Sequence, residues 1–453
     1  MSDPFETAVV AELQTLIGLA RPSRESNRRI VDHLAALYQS LGWHLRKYPR
    51  SDNPEVLNLL AVAAGEPEVL FCVHTDTVPP GDLTRWTATG GRPRNARIGD
   101  GRVHGLGASD TLGSMAVLNA LSREGSWPAP VAILFSADEE VGALGAMDVV
   151  RMQGVPESVR LVVVCEPTNN LVVLGEKGYV PFDVVARGVV HRDRPGRASD
   201  DDVNTLLIVG QEAHSARPQQ GRNALFEAAR TDDVAELEGR IVLDVACRGV
   251  RNKVPGLCAI SHVARNALRI GGTHTEWDLP PILEFLRRLE GIAQEVGTIR
   301  DDRFQPPQVT LNVGAVEAVA DEAVFACDLR PVPGFDHRPI LDRVIETARS
   351  VFPDAAMRFP HPPLPPVWAD LPDRALHAIG ERRDPFGKSA YTEAAVFVPA
   401  GFATVIAGPG NLLVHRPNEY VEVSALVAGR EVYRDLAALG PLVRLGPRRA
   451  GGE

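Results

Sequence analysis

The sequence predicts an α/β protein built from a discontinuous domain, with a mainly parallel sheet flanked by helices, and a smaller inserted α+β domain. Three observations predict it. Short apolar runs alternate with helical stretches from 57 to 180, as strands joined by crossover helices do. The next stretch has a different texture, a few strands with two amphipathic helices between them. After "PHPPLPPVW" (360–368), whose consecutive prolines favour stiff extended backbone, a helix–strand pattern returns. The expected domains are 1–180 with 364–453, and 181–363.

Taken in order, residues 5–42 read as helices, since "VDHLAALYQSLGW" carries apolar positions at helical spacing. "VLNLLAVA", "EVLFCVHTD", "VAILFSADEE" and "RLVVVCEPT" are strand candidates, and "GSMAVLNALSRE" between the second and third is a helix. In the inserted part "VPFDVVARG" reads as a strand, "VVHRDRPGRASDDDVN" (189–204) as a polar loop, and "TLLIVGQEAHSARP" as a strand resuming. "HTEWDLPPILEFLRRLEGIAQEV" and "HRPILDRVIETARSVF" are amphipathic helices, "QVTLNVGAV" and "AVFACDLRPV" strands, and "FATVIAGPG" restores the first domain.

The 453 residues, 44% hydrophobic and 23% charged, have an ordinary globular composition. A net charge of −10 argues against a nucleic-acid partner. No apolar run approaches bilayer length, and "MSDPFETAVV" has acids where a signal peptide needs a basic region. The expectation is a cytoplasmic protein without a membrane or nucleic-acid partner. Five cysteines without a CxxC pair read as buried thiols rather than a zinc–thiolate site.

Five places put a metal-binding side chain after an apolar strand or in a Gly-rich loop: His74 and Asp76, Asp110, Glu139 and Glu140, Glu166, and His415. In a parallel sheet such positions collect outside the carboxyl ends of the strands. Three adjacent acids, Asp138 to Glu140, also suit a solvated helix N-terminus. An acid after each of several strands, with a histidine at both ends of the array, is hard to obtain from packing needs. Imidazoles with carboxylates suit zinc, and also cobalt or manganese. The set is too rich for one catalytic zinc, whereas two metals about 3.5–4 Å apart, sharing a carboxylate, would use it all.

"HTDTVPPGDLTRWTA", "GLGASDTLGSMA", "SADEE", "CEPT" and "GPGNLLVHRPNEY" resemble, in order, the five blocks of the dinuclear zinc deacylases and peptidases. That family includes acetylornithine deacetylase, succinyl-diaminopimelate desuccinylase, aminoacylase and carboxypeptidases. The resemblance implies two divalent ions, zinc or else cobalt. It makes Asp110 the bridging carboxylate, gives His74 and Glu166 to one metal, and gives Glu140 and His415 to the other. It makes Asp76 the acid that orients His74 by accepting its remaining N–H, and Glu139 the general base. "GQEAHSARPQQGRNAL" is similar to the lid block, so His214 would stabilise the oxyanion, in several relatives across a homodimer. "ACDLRPVPG" matches the segment whose arginine, Arg330, binds the substrate carboxylate; an ordinary strand arginine is the alternative. "RGVRNKVPG" resembles a substrate-binding asparagine block, leaving Asn252 open between that role and a turn before proline.

The chain departs from the family pattern in the 189–204 insertion and in a long 230–300 region. "YTEAAVF" and "HTDTVP" with "RWT" look closest to the acetylornithine deacetylase subgroup. Glu393 would then meet a substrate ammonium. The implied reaction is hydrolysis of an N-acyl amino acid, N-acetyl-ornithine to ornithine and acetate in arginine biosynthesis. Desuccinylase, acetylcitrulline deacetylase, dipeptidase and carboxypeptidase activities are the alternatives.

Overall fold

The computed structural model describes residues 3–192, 204–207, 217–218, 221–230, 241–244, 275–277, 279–319 and 322–443. The chain divides into two compact units, Met1–Glu176 with Val367–Glu453, and Lys177–Pro366. His214 and Asn252 lie outside the described residues.

The first unit begins with α1 (Pro4–Leu19), where the Asp3 carboxylate accepts the Phe5 amide at 2.9 Å as an N-cap. Val9, Leu13, Leu16 and Ile17 form its buried stripe, and α2 (Arg28–Ser40) buries Ile30, Val31, Leu34 and Tyr38. Then come β1 (His44–Pro49), β2 (Leu57–Val62) and β3 (Val69–His74). They are followed by α3 (Gly113–Glu124), β4 (Val131–Ser136), α4 (Leu144–Arg151) and β5 (Leu161–Val164). Every residue of β3, β4 and β5 is buried, which is why these strands read as continuous apolar runs. Glu12 ties the helices together: one oxygen takes Asn119 Nδ2 at 2.8 Å and faces His33 Nε2 at 2.9 Å, and the other takes Arg123 at 2.6 Å. Burial pushes its carboxyl up, but these partners prevail and hold it at about 2.

The second unit holds β6 (Val180–Arg187), α5 (Leu279–Val296), β7 (Thr310–Val319), β8 (Glu322–Arg330), α6 (Arg338–Val351) and β9 (Ala356–Arg358). Its antiparallel sheet runs β7-β8-β6-β9. Phe285 of α5 meets Phe325 of β8 edge-on at 4.9 Å and Phe352 at 5.7 Å, a packing aromatic quadrupoles favour. Two details differ from the sequence reading. Val190–Arg192, inside the expected polar loop, pairs with Thr275–Trp277, at the head of an expected helix. The helix begins only at Leu279, with Pro280 and Pro281 in its first turn, where a missing N–H costs nothing.

Back in the first unit, β10 (Ala403–Ile406) and α7 (Val423–Ala437) complete the layers. The sheet order is β1-β2-β4-β3-β5-β10. β4, β3, β5 and β10 are mutually parallel, with the β1–β2 hairpin antiparallel beside β4. The fold is mixed α/β with a mainly parallel central sheet. Among the described residues no helix is long and apolar enough to cross a membrane.

Candidate metal centre

In a sheet with this strand order, segments leaving neighbouring parallel strands at their carboxyl ends converge. His74 is the last residue of β3, Glu139 and Glu140 follow β4, and Glu166 follows β5. His415 lies in the segment after β10, and Asp110 in the turn before α3. The structure brings these six together. Asp110 presents one oxygen to each imidazole: Oδ1 lies 3.0 Å from His74 Nε2, and Oδ2 lies 2.9 Å from His415 Nε2. Glu166 Oε1 is 3.4 Å from His74 Nε2, and Glu140 Oε1 is 3.2 Å from His415 Nε2. Among the described residues, three groups have their donor atoms within 4.8 Å of one another: His74, Asp110 and Glu166; His74, Glu139 and Glu140; and Asp110, Glu140 and His415. This donor set, oxygen and imidazole without thiolate, fits divalent cations of the zinc type.

The three-acid loop folds so that its members diverge. Asp138 takes a left-handed φ of 55°, and its Oδ1 accepts the Arg24 amide at 2.7 Å. The Glu139 and Glu140 amides each donate to Asp76, one to each carboxylate oxygen, at 3.2 Å. Tyr391 Oη donates to the Glu139 carbonyl at 3.2 Å, and Asn58 Oδ1 accepts the Ala137 amide at 2.9 Å.

This network alters the reading of Asp76. His74 Nδ1 lies 2.9 Å from the Asp76 backbone carbonyl but 3.7 Å from its Oδ1. The main chain therefore orients the ring, because the carboxylate is occupied by two loop amides and by Ser23 Oγ at 2.7 Å.

Burial of so many carboxylates has electrostatic consequences. Desolvation works against the charged His415 ring, but Glu140 and Asp110 outweigh it and hold the ring at about 10. His74 is likewise raised well above the usual imidazole value, burial being overcome by Asp110 and Glu166. Asp110 sits well below the carboxylate range, because the two histidines outweigh its burial. Burial pushes Glu419 up to about 8 and Glu393 to about 7.

Sequence reasoning assigned no role to several residues that shape the centre. Glu419 Oε1 accepts the amides of Ser109 and Asp110 at 2.9 and 3.1 Å, fixing the turn that carries Asp110. It stands four residues after His415 in a quoted block, so an acid at a strand start was visible but its partners were not. Lys388 Nζ lies 2.6 Å from Glu166 Oε2 and leaves the other oxygen toward His74. Its surroundings, "FGKSAY", show no periodicity. Of the residues to which the sequence did give a role, Glu393 is buried, with Oε1 accepting from Ser136 Oγ at 2.5 Å. Arg330 belongs to the second unit, where its guanidinium stacks 4.2 Å over the Tyr179 ring and its Nε donates to Asp328 at 3.1 Å.

Comparison with known proteins gives consistent results. The model of peptidase family M20/M25/M40 matches residues 70–439. Acetylornithine deacetylase of Myxococcus xanthus is 26% identical over 455 residues, covering 94% of this chain and 96% of that one. Human carnosine dipeptidase 1 superposes with a TM-score of 0.61 at 14% identity, covering 96% and 97% of the two chains. A Bacillus subtilis protein described as a dinuclear metal binding peptidase gives 0.55 at 12%, covering 97% and 99%. The two structures share the fold, and the family match spans most of the chain. This protein thus belongs to peptidase family M20/M25/M40 and is a hydrolase of amide bonds.

Proposed function

We propose that the protein removes the acyl group from an N-acyl amino acid, using two divalent ions held by the cluster around Asp110. Zinc is the first choice and cobalt the second, from the donor set. His74, Glu166 and Asp110 would hold one ion, and His415, Glu140 and Asp110 the other. The observation that carries this reading is the two-sided presentation of Asp110, one oxygen per imidazole. Bound there, the ions would polarise the acyl carbonyl and make an attacking water more acidic. Glu139 accepts the proton of that water and delivers it to the departing amine, so one water and one amide become a carboxylic acid and an amine. Asp76 steadies the loop that carries Glu139. His214 donates to the oxyanion, supplied by a second copy in a homodimer, Arg330 forks onto the substrate carboxylate, and Asn252 contacts substrate.

The substrate we favour is N-acetyl-ornithine, which would place the enzyme in arginine biosynthesis in the cytoplasm. Support comes from relatives named acetylornithine deacetylase at 23–26% identity and from Glu393. Its Oε2 is buried without a hydrogen bond among the described residues, a place for a substrate ammonium. The second reading, a dipeptidase, is favoured by the solved neighbours named for that activity. Metal content of the purified protein, with rates on N-acetyl, N-succinyl and dipeptide substrates, tests both. Protein that takes up no transition metal, or cleaves none of these amides, refutes the proposal. Glu393→Gln should impair N-acetyl-ornithine more than neutral N-acetyl amino acids, and equal losses would defeat the ammonium assignment.

A further inference from the structure

Arg50 lies outside the donor cluster, yet its side chain is 3% exposed and ends among three carboxylates. Nε donates to Asp138 Oδ2 at 3.2 Å, Nη1 to Asp148 Oδ2 at 2.6 Å and Nη2 to Asp52 Oδ1 at 2.8 Å. Asp148 is held independently, accepting from the Ser51 amide at 3.0 Å and from Ser51 Oγ at 3.1 Å. Asp138 is the residue before Glu139, and a non-glycine in the left-handed region persists only where its surroundings hold it. The Arg50 fork and the Arg24 amide each take one Asp138 oxygen. They turn the first acid of the run away from the other two, whose amides then face Asp76.

We infer that Arg50 is a positioning residue for the Glu139–Glu140 pair, acting through Asp138; the inference rests on the roles proposed for those two glutamates. Without the guanidinium, the Asp138 carboxylate loses the cation that offsets it and stands beside two more acids. With one side of its tether gone, Asp138 is no longer held turned away, and the loop slips out of register with Asp76. A lysine cannot serve three acids at once, because its ammonium is a point charge without the planar fork. Asparagine at 138 tolerates the left-handed backbone but has only one acceptor oxygen for the Arg50 Nε and Arg24 amide donors, so it breaks one side of the tether without a change of size.

The test uses the full-length protein, stripped of metal and titrated with cobalt followed by its visible absorption, beside steady-state rates and thermal unfolding. Both Arg50→Met and Asp138→Asn should weaken one of two cobalt equivalents by about 10–100-fold, as loss of a partner behind a ligand does. Both should also lower kcat more than they raise KM, with Arg50→Lys in between. Glu12→Gln breaks a buried ion network that touches none of these residues and should lower Tm while leaving cobalt uptake and kcat near wild type. The inference is overturned if Arg50→Met and Asp138→Asn lose only Tm, with cobalt binding and kcat intact. Should Arg50→Met fail to fold, Asp138→Asn decides alone. If the wild type takes up cobalt but cleaves no acyl amino acid or dipeptide, the proposed function falls, while the cobalt comparison still judges Arg50.

Discussion

Gly145→Ala sets two physical effects of opposite sign against each other beside the metal centre. Gly145 lies in the first turn of α4, where alanine is intrinsically preferred by at most about 1 kcal/mol. A Cβ built there would stand 2.2 Å from the Ala137 carbonyl oxygen, 2.3 Å from Asn58 Oδ1 and 2.7 Å from the Ala137 nitrogen. Two of these atoms are backbone, and the third is a fully buried amide that already binds the Ala137 N–H at 2.9 Å. The helix must retreat, losing the bond from Gly145 N to Ala137 O and straining the one from Ala137 N to Asn58. A buried group left unsatisfied costs about 1–3 kcal/mol, and overpacking about 1–3 kcal/mol more. The net is a destabilisation on the order of 3 kcal/mol after the helix preference is subtracted. For a unit of this size that lowers Tm by about 6–10 °C. Ala137 also leads directly into the acidic loop, so cobalt uptake should weaken in the folded variant. Thermal unfolding of wild type and variant in the same buffer is the assay. A Tm equal to or above wild type would refute the reasoning, since helix preference would then have won.

Glu139→Gln should retain two metal equivalents and lose about 10²–10⁴ in kcat, the span typical of a removed proton acceptor, whereas Glu140→Gln should lose an equivalent; identical behaviour of the two would show that neighbours in sequence share one role. A chelator should abolish amide hydrolysis, and zinc or cobalt should restore it while magnesium, which prefers all-oxygen sites, does not; full activity in the presence of excess chelator contradicts this. Glu12, at about 2 in the folded state against 4.5 as an ordinary glutamate, contributes on the order of 3 kcal/mol that is fully present above pH 4.5 and is lost as pH falls toward 2. Urea unfolding of wild type and Glu12→Gln should therefore differ most at pH 7 and converge in acid, and a gap that widens on acidification would reverse the sign.

The parallel strands were legible because both faces of each are covered. Burial of every residue in β3, β4 and β5 leaves an unbroken apolar signature that needs no knowledge of the partner. β1, "HLRKYP", carries no such signature, because it is an edge strand with no fully buried residue. Thr275–Trp277 was equally silent as a strand, since "TEW", just ahead of a helix that starts on two prolines, carries no apolar run. The same distinction runs through the site. His74 ends a strand and Glu140 and Glu166 follow strands, where an acid or imidazole contradicts its apolar surroundings and so draws notice. Arg50, Lys388 and Glu419 act on main-chain amides or carboxylates distant in the chain. An arginine before a turn or a lysine in a loop is the commonest of surface residues, so nothing local marks it.

Three acids in a row raise the question of how one loop tolerates them, and the buried acids divide into two kinds. Some spend their oxygens on protein donors: Asp76 on two amides and Ser23, Glu419 on two amides, and Asp138 on the Arg24 amide and Arg50. Glu176 belongs with them, binding Thr392 Oγ1 at 2.6 Å and the Ala395 amide at 3.1 Å. Others, Asp110, Glu140 and Glu166, turn toward His74 and His415. Acids of the first kind serve as scaffold, and the second kind concentrate negative charge at one place. The Asp138–Glu140 run crosses that division, with Asp138 among the scaffold and Glu140 at the histidines. Neutralising a scaffold acid should therefore disturb geometry first and metal affinity through it, whereas neutralising Asp110, which alone among the described residues faces both imidazoles at 3.0 Å or less, should remove both metal equivalents at once.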